Sequence, residues 1–157
     1  HTNIGTHSVD TVTAGQAFHW FDPEAFREEC LRILKPGGLV SLVWNSRTID
    51  SEVTSACYKI CKKYCPAFRG FSGGGVNQEE MTSAFFPRGC EVRAFENDLA
   101  YSREAFVGRY LSASYAPKPQ DANYQPYTEG LGKLFDCYAS GGLIRIPNTT
   151  NSYTGAV

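Results

Sequence analysis

The run SVDTVTAGQAFHWFDPEAFREECLRILKPGGLVSLVW, Ser8 to Trp44, constrains the fold more than any other part of the chain. Ser8 to Ala14 is short and β-branched, with Val9 and Val12 apolar, and reads as a strand entered from a polar turn. Asp22-Pro23-Glu24 then opens a helix, with Asp22 as N-cap, Pro23 at the first helical position and Glu24 in the first turn. Phe26, Cys30, Ile33 and Leu34 recur at i, i+4, i+7 and i+8, which makes one apolar stripe on a helix running to about Leu34. Lys35-Pro36-Gly37-Gly38 stops it, since proline cannot continue a helix and the glycines accept a left-handed turn. Leu39 to Trp44 is nearly continuous apolar sequence, the pattern of a strand buried on both faces. Strand, helix and strand at this spacing form a βαβ unit with parallel strands and a right-handed crossover, so the expected class is α/β.

The rest of the chain is less regular. A second helix is predicted from about Ser51 to Tyr64 and is stopped by Pro66. The glycine-rich FRGFSGGGVNQEE leads to a short helix near Gln78 to Ala84. GFSGGGVN matches neither a P-loop nor a dinucleotide fingerprint and follows a helix rather than a strand, so it reads as a surface loop or active-site lid. Cys90 to Leu99 alternates apolar and polar residues, as a strand near a sheet edge does. A helix over Ala105 to Ala113, a loop APKPQDANYQP, a helix over Glu129 to Tyr138 and a final LIRIP strand with a threonine-rich tail complete the reading. The expected organisation is a single domain: a core βαβ part over 1–50, a helical insert with the glycine-rich loop over 51–88, and C-terminal strands and helices over 89–157.

Composition excludes several partners. A net charge of −1 without a basic stripe leaves no nucleic-acid footprint. No stretch of about 18 apolar residues is present to span a membrane. HTNIGTHSVD carries neither the basic nor the apolar region of a secretory signal, and a cytoplasmic location is expected. Cys57, Cys61 and Cys65 lie four apart on one helical face, but no CxxC knuckle, histidine or fourth cysteine adjoins them. No metal site is expected, and the six cysteines read as buried, reduced thiols in a reducing compartment.

Ligands of parallel sheets sit beyond the carboxyl ends of the strands, which points to Ala14-Gly15-Gln16, just after the first strand. Small residues there permit close backbone approach to a ligand. Gln16 is a candidate to orient a substrate polar group, or else a solvent-facing loop amide. His19 is a candidate general base, because imidazole titrates near neutral pH, or else a helix-flanking histidine bonded to backbone. Trp44, ending the next strand, either lines the pocket or packs in the core. Trp20 and Phe21 are expected to staple the loop to the helix start. Tyr101, Tyr110 and Tyr115 are candidates for a pocket wall, but aromatics at such positions usually belong to the core.

Asp10 on the strand, the loop from Ala14 to Phe21 with its His-Trp-Phe ending, Arg32, Leu34 to Gly38 and the apolar Leu39 to Trp44 together resemble the second half of a class I S-adenosylmethionine-dependent methyltransferase. The later part, ending in a Gly-x-Ile-x-Ile-Pro strand, is similar to the small-molecule branch related to trans-aconitate methyltransferases. The resemblance implies strands 4 to 7 of a Rossmann-like sheet with flanking helices. It implies S-adenosyl-L-methionine as cofactor, bordered by Ala14, Gly15 and Gln16. It further implies a small-molecule methyl acceptor near Gln16, His19 and Trp44, with His19 the candidate catalytic residue. Members of that family open with a strand and glycine loop that hold the methionine end of the cofactor, and neither stands in this sequence. The expectation is therefore a partial sheet, inactive alone, whose uncovered Val9–Thr13 edge leads either to self-association or to a rearranged, partly exposed sheet. The alternative is a non-catalytic interaction module with the same fold remnant.

Overall fold

The computed structural model describes residues 1–71 and 77–157, and most of the glycine-rich stretch GFSGGGVN, expected to be a surface loop or active-site lid, falls outside them. β1 (Val9–Gly15) leads through a single 3₁₀ turn (Phe18–Trp20) to α1 (Pro23–Ile33) and β2 (Leu34–Arg47). α2 (Glu52–Tyr64), α3 (Gln78–Phe85), β3 (Glu91–Glu96), β4 (Leu99–Tyr101), α4 (Arg103–Leu111) and α5 (Tyr124–Tyr138) follow. β5 (Ile144–Ile146) and β6 (Asn148–Gly155) end the chain. The fold is mixed α/β, with a four-stranded sheet in the order β1-β2-β6-β3 and a two-stranded antiparallel ribbon of β4 and β5.

The βαβ reading holds: β1 and β2 pair in parallel, from Val9 opposite Leu34 to Gly15 opposite Val43. α1 begins as its sequence predicts. Asp22 Oδ1 accepts the Ala25 N–H at 2.9 Å, Pro23 needs no hydrogen bond at the first position, and Cys30 and Ile33 are buried. Lys35-Pro36-Gly37-Gly38 is not a separate turn but lies inside β2. Val9 faces Leu34 and Thr11 faces Leu39, so four residues of β2 bulge out opposite Asp10 alone. Gly37 takes φ of 81°, and a Cβ on Gly38 would stand 3.0 Å from the Asp10 carbonyl oxygen. Lys35 closes the bulge over β1 with a 3.0 Å ion pair to Asp10.

β2 is buried on one face rather than two. Val40, Leu42 and Trp44 face the core with Ala14, Phe18, Cys30, Leu34, Phe85 and Phe86, whereas Leu39 is exposed and Ser41 and Val43 are half-buried. The less buried face carries hydroxyls: Ser41 Oγ lies 2.9 Å from Thr154 Oγ1 and 3.2 Å from Ser152 Oγ. Asn45 meets Thr150 at 2.6 Å, so residue numbers on β6 fall as those on β2 rise, and β6 is antiparallel to β2. The threonine-rich tail is thus an internal strand. The strand predicted over Cys90 to Leu99 divides into β3, at the end of the sheet order, and β4.

The chain divides into two compact units. The first holds β1, α1, α3 and the bulk of β2, β3 and β6, around the core just described. The second holds α2, α4, α5 and the β4–β5 ribbon. Its core joins Val53, Cys57, Cys61 and Cys65 to Phe106, Tyr110, Tyr127, Leu131 and Ile144. α5 starts five residues before its predicted onset at Glu129, because Pro126 sits in the first turn, where its missing N–H would have no intrahelical partner.

Candidate functional site

Ala14, Gly15 and Gln16 stand at the carboxyl end of β1, beside Val43 and Trp44 of β2. Ala14 is buried and Gly15 and Gln16 are exposed. Among the described residues nothing lies within 4 Å of the point where a Gly15 side chain would start, so they leave the strand end open. Gln16 turns the chain with φ of 54°, an unusual left-handed conformation for a non-glycine residue. Two hydrogen bonds fix that turn to β2. The Gln16 backbone N–H donates to Val43 O at 2.9 Å, and Nε2 donates to Asn45 O at 3.1 Å. The amide oxygen of Gln16 is left to accept from a ligand.

The His-Trp-Phe loop splits by burial. Phe18 is fully buried, with ring centroids 4.8 Å from Phe85, 5.8 Å from Phe26 and 6.1 Å from Trp44. Phe21, just before the Asp22 cap, packs on Phe26 at 4.9 Å and is the hydrophobic staple of α1. Trp20 does not share that role: it is 80% exposed and its ring meets His19 at 4.9 Å. His19 is half-buried between these two environments. Trp44 is 2% exposed and packs edge-on against Phe18 and Tyr153. Its Nε1 has no hydrogen-bond partner among the described residues. Phe18 escaped the sequence reading. Its signal is positional, as the one apolar residue of the loop placed to meet both the strand end and the Phe26 stripe.

The remaining candidates belong to the second unit. Tyr110 is buried, and Tyr115 packs edge-on against Phe68 at 4.9 Å. Tyr101 lies on β4 with the Arg109 guanidinium 5.6 Å over its ring. Burial raises the Cys57, Cys61 and Cys65 thiols, Cys61 to about 11, and Cys61 Sγ lies 3.7 Å from the Tyr127 hydroxyl. Burial likewise pushes Tyr115 up to about 12. All six cysteines are free thiols, and among the described residues no group of three His, Cys, Asp or Glu is arranged to hold a metal ion. No helix among them is long and apolar enough to cross a membrane.

Residues 1–42, which contain β1, the loop and α1, match the family model of a methyltransferase domain. The chain resembles the methyltransferases. An uncharacterized methyltransferase of Schizosaccharomyces pombe is 38% identical over 80 residues, which are 51% of this chain and 29% of that protein. An uncharacterized methyltransferase of Mycobacterium tuberculosis is 51% identical over 44 residues, 28% of this chain and 18% of that protein. The matched segment is thus under a third of the length of either methyltransferase. A solved structure from Anaeromyxobacter dehalogenans, assigned as a type II methyltransferase, superposes with a TM-score of 0.59 at 18% identity. That superposition covers 98% of this chain and 66% of the other, and shows a shared fold.

Proposed function

We propose that these 157 residues form part of one S-adenosylmethionine-dependent methyltransferase domain, contributing strands 4 to 7 of a Rossmann-like sheet. The acceptor is a small molecule of the kind handled by the trans-aconitate methyltransferase-like branch. The observation that carries the reading is the parallel β1–α1–β2 unit, matched to the methyltransferase model, with an open carboxyl end at Gly15 and Gln16.

The residues present fit such a cofactor, because the space beside Gly15 admits a ligand against backbone. S-adenosylmethionine would supply an activated methyl group, so the protein has chiefly to align the acceptor with it. Ala14 and Gly15 offer the backbone edge. Gln16, held by Val43 and Asn45, presents its amide oxygen to a polar group of the ligand. His19 takes a proton where the acceptor atom must lose one. Trp44 supports the strand end from the core side, through Phe18.

A glycine loop for the methionine end of the cofactor has no counterpart within residues 1–157, so this chain alone is expected to be inactive. Its six free thiols suit a reducing compartment, and we place it in the cytoplasm. β1 ends the sheet order, and its edge is proposed to mediate self-association of the 157-residue chain.

Calorimetric titration with S-adenosylhomocysteine tests the reading, using this chain and one carrying any in-frame residues encoded upstream. Binding by the longer chain, lost on Gly15→Val, is expected. No binding by either would abandon methyl transfer in favour of the non-catalytic interaction module.

A further inference from the structure

The second unit holds a cavity of about 400 Å³ between the start of α2 and the segment that follows that helix, lined by Ile49, Thr54, Ser55, Tyr58, Arg69 and Phe71. Small-molecule sites commonly span about 300 to 1,000 Å³. Its walls are largely apolar. The Tyr58 and Phe71 rings meet edge-on at 6.1 Å, and Phe68 backs both, at 5.3 Å from each.

Charge gives the cavity its chemical direction. Arg69 lines it, and the Arg47 guanidinium stands over the ring of Phe71, a lining residue, at 4.3 Å from its centroid. Among the described residues no Asp or Glu lines it, and neither arginine forms an ion pair. Arg69 donates one N–H to the Pro66 carbonyl at 2.9 Å, which steadies the guanidinium while its other donors remain. Thr54 is buried, and its hydroxyl accepts from Ser51 Oγ at 2.7 Å, leaving its own hydrogen to donate.

We infer that this cavity binds a small apolar carboxylate, with the tail between Ile49, Tyr58 and Phe71 and the carboxylate on the Arg69 guanidinium, assisted by the Thr54 hydroxyl. A planar guanidinium fork matches a planar carboxylate with two parallel hydrogen bonds, which a neutral ligand cannot reproduce. The inference concerns the second unit alone and does not rest on the methyl-transfer reading.

Titration of the 157-residue chain with hydrocinnamate and with its neutral amide, hydrocinnamamide, tests it. The acid is expected to bind at least about tenfold tighter, the difference that one charge-assisted hydrogen bond supplies. Arg69→Gln is expected to abolish that preference, and Tyr58→Ala to weaken both ligands alike. Arg69 is exposed, so an unchanged thermal melt of Arg69→Gln serves as the folding control. Equal affinity for acid and amide, a preference that survives Arg69→Gln, or no saturable binding of hydrocinnamate would each overturn the assignment.

Discussion

Gln16 reaches from the end of one strand to the next: its Nε2 donates to the Asn45 carbonyl at 3.1 Å while its backbone stands at φ of 54°. Removing the side chain and relieving the backbone therefore act in opposite directions. Gln16→Ala loses the strap and keeps the left-handed conformation, costing about 1 kcal/mol. Gln16→Gly loses the strap but releases roughly 1–2 kcal/mol of conformational strain, less a glycine entropy cost of roughly 0.5–1 kcal/mol. Urea denaturation should find the glycine variant the more stable of the two.

Two glycines of the same unit should respond in opposite ways. A Cβ at Gly38 would sit 2.9 Å from Leu34 Cδ2 and 3.0 Å from the carbonyl oxygens of Asp10 and Lys35. Gly38→Ala must open the β2 bulge and should cost about 1–3 kcal/mol, as overpacking does. A Cβ at Gly15 meets none of the described residues within 4 Å, so Gly15→Ala should be neutral or stabilising by up to about 1 kcal/mol. Chemical denaturation of the two variants measures the contrast. It also shows whether Gly15 is free to be judged by ligand binding alone.

The parts of the fold that were legible in the sequence are those fixed by local rules. Asp22, Pro23 and the Phe26–Cys30–Ile33 stripe specify α1 by capping and period, and the parallel pairing of β1 with β2 follows from the helix between them. β6 was hidden because Asn148–Gly155 is mostly polar. Ser152 and Thr154 are placed by hydroxyl contacts to Ser41, more than a hundred residues away. The burial of β2 on one face was misread because Leu39 and Val43 are apolar yet lie on the hydroxyl-bearing side. The placement of Ala14 to Gln16 at the carboxyl end of β1 was legible from the strand pattern. The Gln16 strap could not, because its acceptors are backbone carbonyls that leave no mark on side-chain identity.

The buried acids give the protein an alkaline limit. Burial lifts Cys30 and Cys61 from 9.0 to about 11 and Tyr115 from 10.0 to about 12, and it raises Tyr110 and Tyr127 further in the same direction. Well below pH 9 these groups are protonated in both states. Between pH 9 and 11 the unfolded chain releases thiol protons that the folded chain keeps, so the unfolded state binds fewer protons and stability falls as pH rises. The denaturant midpoint should decline across that window, and less steeply in Cys61→Ala. At neutral pH, thiol reagents should label the exposed Cys137 first, with Cys30, Cys57 and Cys61 reacting only on unfolding.

The β1 edge makes the last prediction. β1 pairs with β2 on one side and ends the sheet order on the other, with Asp10, Thr11 and Thr13 exposed along it. A strand end of this kind presents unpaired backbone groups to a second chain, and the proposed contact is a second copy of the same edge. Lysine on an edge strand disfavours such pairing through charge, and Thr11 can accept it because its side chain lies in solvent. Sedimentation of the 157-residue chain should show a mass that rises with concentration, and Thr11→Lys should return it to the monomer without altering the thermal melt. A wild-type chain monomeric at every concentration would remove β1 as an interface.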